Sequence, residues 1–290
     1  MTGSRSHWVE LFVRRACRAK WFFLLLAAVA TASPAWAQRK PESKAASSKG
    51  KKEGASGKSK AATSEATARF LECIDEAEQA LKGVRDYTAT FAKKELVGKK
   101  LVQQQMAMKF RETPFSVYFL FTSEEEKGRE VIYVDGKYKN ELVVHETGLK
   151  GLAGTLRFKP SHSRVMGENR YHITDVGIGN ILKKASEQFE RDATDHDLHA
   201  KVYPKAKLDD VPCTAVVIKH AKAQKDWAYS DIRVYYDQET KLPIHVERYG
   251  WPARPDDQAP LLEEYSYRDL KLNVGLKDID FDPKNPQYNY

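Results

Sequence analysis

Asp195, His196, Asp197 and His199 form the densest cluster of metal-type ligands in the sequence, and imidazole with carboxylate is a donor set that zinc accepts. Their spacing works against a site. In an extended strand, residues three apart face opposite sides, so His196 and His199 do not converge, and a solvated surface run is the reading that follows. Asp278, Asp280 and Asp282 repeat the opening of a calcium loop, but Pro283 stands where that loop needs glycine and Asn289 where it needs a bidentate glutamate. Glu263 and Glu264 are neighbours in a strand pattern and point to opposite faces, which removes them as a paired acid and base. Gly177-Ile178-Gly179 lacks the third glycine of a dinucleotide fingerprint, and a helix start explains it. The sequence contains no Gly-x-Ser-x-Gly elbow, phosphate-binding loop, His-Glu-x-x-His or Cys/His nucleophile arrangement. No motif calls for a cofactor or a metal. Catalytic groups drawn together from distant strands are the remaining route to an enzyme.

The elements that would position such residues begin behind a leader. Arg14, Arg15, Arg18 and Lys20 precede a 12-residue apolar run from Trp21 to Ala32, followed by Ala35-Trp36-Ala37. This pattern predicts a signal peptide over residues 1–37, because the run is far shorter than the roughly 20 residues a membrane-spanning helix needs. A retained anchor is the alternative. Cys17 precedes the run, so it does not become an acylated N-terminus. Residues 38–66 are rich in Lys, Ser, Ala and Gly and offer no aromatic or β-branched apolar side chain, which predicts a disordered basic linker. It would act as a spacer, or as a peripheral contact to anionic lipid or wall polymer. The net charge of +8 divides into +4 for residues 1–37, +5 for 38–68 and −1 for the rest. With lysines and arginines interspersed among acids, and no basic stripe with interleaved aromatics, nucleic acid is not an expected partner.

Residues 67–290 contain no second linker or repeat and are expected to form a single domain. It opens with an amphipathic helix carrying Phe70, Ile74, Ala77, Leu81 and Val84 on one stripe. Strand patterns follow over 86–97, 101–111, 115–122, 129–134 and 139–145, and again over 199–207, 212–220, 229–237, 242–251 and 261–270. Between the two sets, the glycine-punctuated 148–158 reads as a flap too flexible for a regular strand, followed by a second amphipathic helix over 179–191. The fold class is α+β, mainly β: a strongly curved antiparallel sheet of about ten strands, an unclosed half-barrel, with two or three covering helices. Both faces of 115–122 are apolar or aromatic, so this strand is expected to be buried on both sides.

Phe91, Met106, Met108, Phe110, Phe119 and Phe121 are the candidate lining of an apolar cavity, soft and adaptable enough for a shape-tolerant pocket; filling a core is the competing role. Leu149, Leu152 and Leu156 in the flap, and Ile181, Leu182 and Phe189 on the second helix, are the candidate lid. Cys73 and Cys213 remain after a signal is removed. They either pair as a disulfide in an oxidising compartment or stay as two separately buried thiols, and the sequence leaves both open.

The runs DYTATFAKKELV, PFSVYFLF, KGREVIYVDG, GLKGLAGTL, LPIHVERYGWP and LLEEYSYRDLKLNVGLKDIDFDP together resemble a family of secreted bacterial proteins known only as a domain of unknown function. That family resembles in turn, by architecture, the LolA/LolB-like lipoprotein carriers, related lipid-binding lipoproteins and the sensor domain of RseB-type regulators. The resemblance implies a half-barrel with a helical lid and a non-enzymatic role outside the cytoplasm, in the periplasm or cell envelope. The expected ligand is a lipid or acyl chain. The alternatives are docking of an envelope protein partner through the same shape and, more weakly, an envelope hydrolase. No stretch matches the carriers' functional motifs, so no residue role is carried over from them.

Overall fold

The computed structural model describes residues 54–148, 154–192, 198–223, 227–254 and 256–290; the leader, residues 38–53 of the linker, Leu149, Leu152 and His196 lie outside them. The elements in chain order are α1 (Gly54–Leu81), β1 (Asp86–Val97), β2 (Lys100–Arg111), β3 (Ser116–Phe121), β4 (Glu130–Val134), β5 (Leu142–His145), β6 (Thr155–Phe158), α2 (Ser163–Met166), α3 (Ile178–Asp192), β7 (Leu198–Leu208), β8 (Val211–His220), β9 (Asp231–Asp237), β10 (Pro243–Tyr249) and β11 (Leu261–Leu272). Helix α1 reaches back over 54–66, where the sequence predicts linker. Ala61, Ala62, Glu65 and Ala66 are good helix formers, and the helix extends N-terminally from the apolar stripe that docks it.

All eleven strands form one antiparallel sheet in the order β6-β5-β4-β3-β2-β1-β11-β10-β9-β8-β7. Two meanders therefore run outward from a central pair, β1 with β11. The sheet is not closed into a barrel. It curves strongly, because Val144 and Leu156 near one edge and Leu198 and Val216 near the other belong to one continuous core. That core lies between the inner face and the two long helices, with Phe70, Ile74 and Ala77 of α1 and Ile178, Ile181 and Leu182 of α3 buried in it. The fold class is thus as expected, with one strand more than about ten. Thr155–Phe158 pairs with β5, although the segment reads as too flexible for a strand. Its glycines precede the pairing: Gly154, at φ +68°, turns the chain into a short alternating run that places Leu156 and Phe158 against the core.

Strand β3 is buried on both faces. Val117, Phe119 and Phe121 face the main core, while Tyr118 and Leu120 meet a second apolar cluster with Ile132, Val134, Val143 and Phe281 on the outer face. The chain from Gly275 to Tyr290 crosses that outer face as a strap. Tyr288 stacks on Tyr118 at 4.2 Å, Asn289 donates to Glu130 from its backbone N–H at 3.0 Å and from its side chain at 2.6 Å, and Lys109 donates to Asp280 at 2.7 Å. The aspartates that imitate a calcium loop hold cations of the protein: Asp278 pairs with Arg111 at 2.8 Å and Lys137 at 3.3 Å, and Asp280 pairs with Lys109.

Between α2 and α3, Gly177 has φ +121°, and a Cβ there would lie 2.9 Å from Phe110. Glycine is required both by the backbone and by the ring beneath it. Gly177→Ala is expected to lower stability by about 1–3 kcal/mol, read as a lower urea midpoint, with an unchanged midpoint the contrary result.

Burial alone would raise the Asp280 carboxyl, but the bonds from Lys109 and from the Lys277 backbone N–H outweigh it and hold the group below the ordinary aspartate range. Its folded value lies below its unfolded one, so its stabilisation is present above about pH 3.9 and is lost as pH falls through the folded value. The amide-exchange protection factors along residues 276–290, taken relative to the intrinsic rate at each pH, should therefore fall below about pH 4, and Lys109→Met should weaken that acid dependence. Identical profiles in the two proteins would contradict this account of the strap.

Candidate functional site

A cavity lies between the inner face of β1–β5 with β11 and the segment Val165–Lys184 above it. Phe91, Met106, Phe119, Phe121, Val131 and Leu142 form its sheet wall, with Tyr265 and Tyr267 beside them. Val165, Ile173, Val176 and Ile181 close it from the other side. About 110 Å³ is open to the centre of a water-sized sphere, several times the roughly 10–15 Å³ one water requires. The wall is aromatic because the strand period places Phe91 opposite Met106 on one side and Tyr267 on the other, with ring centroids of Phe91 and Tyr267 at 4.9 Å.

Four of the six predicted lining residues, Phe91, Met106, Phe119 and Phe121, border this cavity. Met108 and Phe110 share their face but lie in the packed core, Phe110 stacking on Tyr87 at 4.7 Å. Of the predicted lid residues, Ile181 borders the cavity. Leu182 is buried in the core, and Phe189 packs edge-on against Phe70 of α1 at 5.2 Å. Leu156 is half-buried on β6, away from the lining. Cys73 and Cys213 are both free and buried. Cys73 faces Thr214 and Tyr236, and Cys213, next to Thr214 in β8, points to the opposite side of the sheet.

One end of the cavity is polar. Along β1 the inner-facing row Tyr87, Ala89, Phe91 continues as Lys93 and Glu95, and in the β1–β11 register Glu95 lies directly opposite Glu263. Glu95 is 3% and Glu263 0% exposed. Two carboxylates so placed repel unless cations intervene. Lys93 donates to Glu95 at 3.0 Å, to the Glu168 carbonyl at 2.9 Å and to Asn169. Arg248 donates to Glu263 at 2.6 Å, and the Arg170 guanidinium lies 3.1 Å from it. Tyr265 donates to Glu95, Tyr171 to Glu263 at 2.8 Å, and the Arg170 backbone N–H to Glu95 at 3.0 Å. Burial pulls the Lys93 ammonium below the usual lysine range. Burial also opposes the Arg248 charge, but Glu263 holds that guanidinium above its ordinary value. The Tyr171 and Tyr265 hydroxyls are held well above the usual tyrosine range by burial and by the adjacent carboxylates, so both are neutral donors.

Sequence reasoning missed this polar end, although Lys93 and Glu95 fall in phase with the aromatic row of β1. It also missed Asn169 to Gly177 as the principal cover. Among the described residues, the lining contains no serine, threonine or cysteine, and all three donors of Lys93 are engaged. What the arrangement can do is enclose an apolar group and fix its polar end.

On the outer face of β7–β9, Lys205, Lys207, Lys219 and Arg233 line a wide hollow with Tyr203 and Tyr235. Lys201, Tyr203, Lys205 and Lys207 are exposed along this edge strand, and a bulge interrupts its pairing after Tyr203. Lys219 and Arg233 pair with Asp231 at 3.0 and 3.3 Å. Among the described residues, no helix is long and apolar enough to cross a membrane.

Because Glu263 is fully buried against Arg248, Glu263→Leu should cost about 3–5 kcal/mol by leaving that cation uncompensated. Adding Arg248→Met should recover part of the loss in a chemical denaturation series. Strict additivity of the two substitutions would argue against the coupling.

No curated protein matches the chain significantly. Among solved structures it is similar to the lipoprotein LppX of Mycobacterium tuberculosis, at 13% identity over 74% of this chain and 99% of that one, with a TM-score of 0.43. It is also similar to a LolA superfamily protein from Nitrosomonas europaea, at 12% identity over 73% and 96% with a TM-score of 0.28. A third similarity is to the MucA/MucB complex of Pseudomonas aeruginosa, at 12% identity over 75% and 60% with a TM-score of 0.40. The family model described as "Protein of unknown function (DUF1571)" matches residues 84–290, which include every strand and the whole cavity, and the chain belongs to that family.

Proposed function

We propose that this chain is a non-enzymatic binding module of the cell envelope, exported by its N-terminal signal, in which residues 67–290 act as one domain that shelters an acyl chain or lipid. The observation that carries the reading is the covered cavity, whose wall of Phe91, Met106, Phe119, Phe121, Val131 and Leu142 presents apolar surface to a space too large for one water. Methionine and aromatic side chains accommodate alkyl chains of varied shape without a polar demand. The Val165–Lys184 segment and α3 are the cover past which such a ligand would enter. The outward basic hollow and the basic N-terminal stretch suit an anionic surface such as the lipid or polymer of an envelope.

Native mass spectrometry of the protein exported to a periplasm, repeated after denaturation and solvent extraction, tests this reading. A releasable adduct in the lipid mass range is expected. Met106→Gln should lose it while keeping the circular dichroism of the parent, since an amide against the cavity wall disfavours an alkyl chain. A protein free of adduct, and unchanged by incubation with envelope lipids, would reject the carrier role and favour docking of a partner protein.

A further inference from the structure

The charged groups at the polar end of the cavity satisfy one another, with one exception. Lys93 is consumed by Glu95, the Glu168 carbonyl and Asn169, and Arg248 by Glu263. Lys184, on the second turn of α3, borders the same cavity. Its ammonium sits 3.3 Å above the centre of the Tyr171 ring, a contact that attracts the cation but accepts none of its three N–H bonds in the way an oxygen would. Among the described residues, no carboxylate lies within ion-pair distance of it. Asp175 borders the same mouth and attracts the ammonium, as do Glu263 and Glu95 from further in, but none of the three pairs with it directly and Asp175 is itself exposed to solvent. The Tyr171 ring is itself immobilised, because its hydroxyl donates to Glu263 and meets the Tyr229 hydroxyl at 3.2 Å. The structure thus fixes a half-buried, donor-rich cation at the rim of an apolar hollow and leaves its anion to come from elsewhere. Burial lowers the Lys184 ammonium from the usual lysine range, which an arriving anion would reverse.

We propose that the cavity takes one alkyl chain bearing an anionic head, a carboxylate or a phosphate monoester, and that Lys184 receives that head. The inference rests on the apolar-ligand reading above and adds to it the charge and the number of chains. Size sets an upper limit of one chain, with only part of it enclosed: about 110 Å³ is below the roughly 300–1,000 Å³ of pockets that enclose larger ligands, and the rest of the chain would lie in the open mouth. The chain lies against Phe91, Met106 and Phe119, and the head stays at the mouth near α3.

Isothermal titration of the full chain with decanoate, decyl phosphate, decanol and decyltrimethylammonium tests the assignment. Decanoate or decyl phosphate should bind roughly tenfold or more tightly than decanol, the margin expected of a charge-assisted hydrogen bond. Whichever of the two is tighter identifies the head. Lys184→Met should abolish that margin and leave decanol binding unchanged, and Lys184→Glu should turn the preference toward decyltrimethylammonium. The head-group assignment is overturned, with the cavity reading intact, if decanol already binds as tightly as decanoate or if Lys184→Met keeps the margin. It is equally overturned if Lys205→Glu/Lys207→Glu removes the margin instead, because the anion would then sit on the outer hollow. Absence of binding by all four compounds would reject the apolar-ligand reading together with the inference built on it.

Discussion

Two carboxylates facing each other across the central strand pair set the terms for the rest of the site. Glu95 on β1 and Glu263 on β11 are both buried, and like charges in directly opposed positions destabilise a sheet unless they are compensated. The compensation is distributed over elements far apart in sequence: Lys93 from the same strand, Arg248 from β10, and Arg170 and Tyr171 from the segment that crosses above. Repulsion on the sheet therefore becomes attraction for the cover. The position of Asn169 to Gly177, and through Gly177 the start of α3, follows from where the two carboxylates need partners.

This arrangement divides the inner face into two regimes. Towards the β3–β5 side, aromatic and aliphatic side chains meet apolar cover, and the interaction is non-directional. At the Glu95 and Glu263 end every contact is directional and charge-assisted. A guest in the first region gains from burial with little demand on shape, while the second holds the cover at a defined height. The outer strap supports this division from behind: with Phe281, Tyr288 and Tyr290 packed under β3–β5, the apolar half of the sheet is covered on both faces and its wall is stiffened.

Much of this was legible in the chain because strands with one buried face advertise themselves. The predicted 86–97 coincides with β1, and 261–270 falls short of β11 by two residues. The Phe70, Ile74, Ala77 stripe docked as its spacing implies. Four of six lining residues could be found because their period matched the concave face. Met108 and Phe110 carry the same periodic signal but are packed into the core, Phe110 beneath Gly177, and which part of a face the chain crosses is a tertiary fact that spacing cannot encode. The cover was missed because 165–177 has no sustained periodicity: a short helix, a turn and a bend gain their places from Glu95, Glu263 and the core. The Asp278, Asp280, Asp282 run attracted a metal comparison, whereas its partners Lys109, Arg111 and Lys137 lie more than a hundred positions away.

The two free margins of the open sheet are treated differently, and this bears on self-association. Unpaired strand edges are templates onto which another chain can add. The β6 edge offers only four residues. The β7 edge is eleven residues long, yet it is interrupted by the bulge after Tyr203, contains Pro204, which has no N–H to donate, and carries Lys201, Lys205 and Lys207. A second copy approaching edge to edge would meet a broken ladder and a row of like charges. The same lysines that shape the outer hollow thus also sit on the edge where the sheet could be lengthened, so one row of charge serves both the surface of the fold and the limit of its pairing.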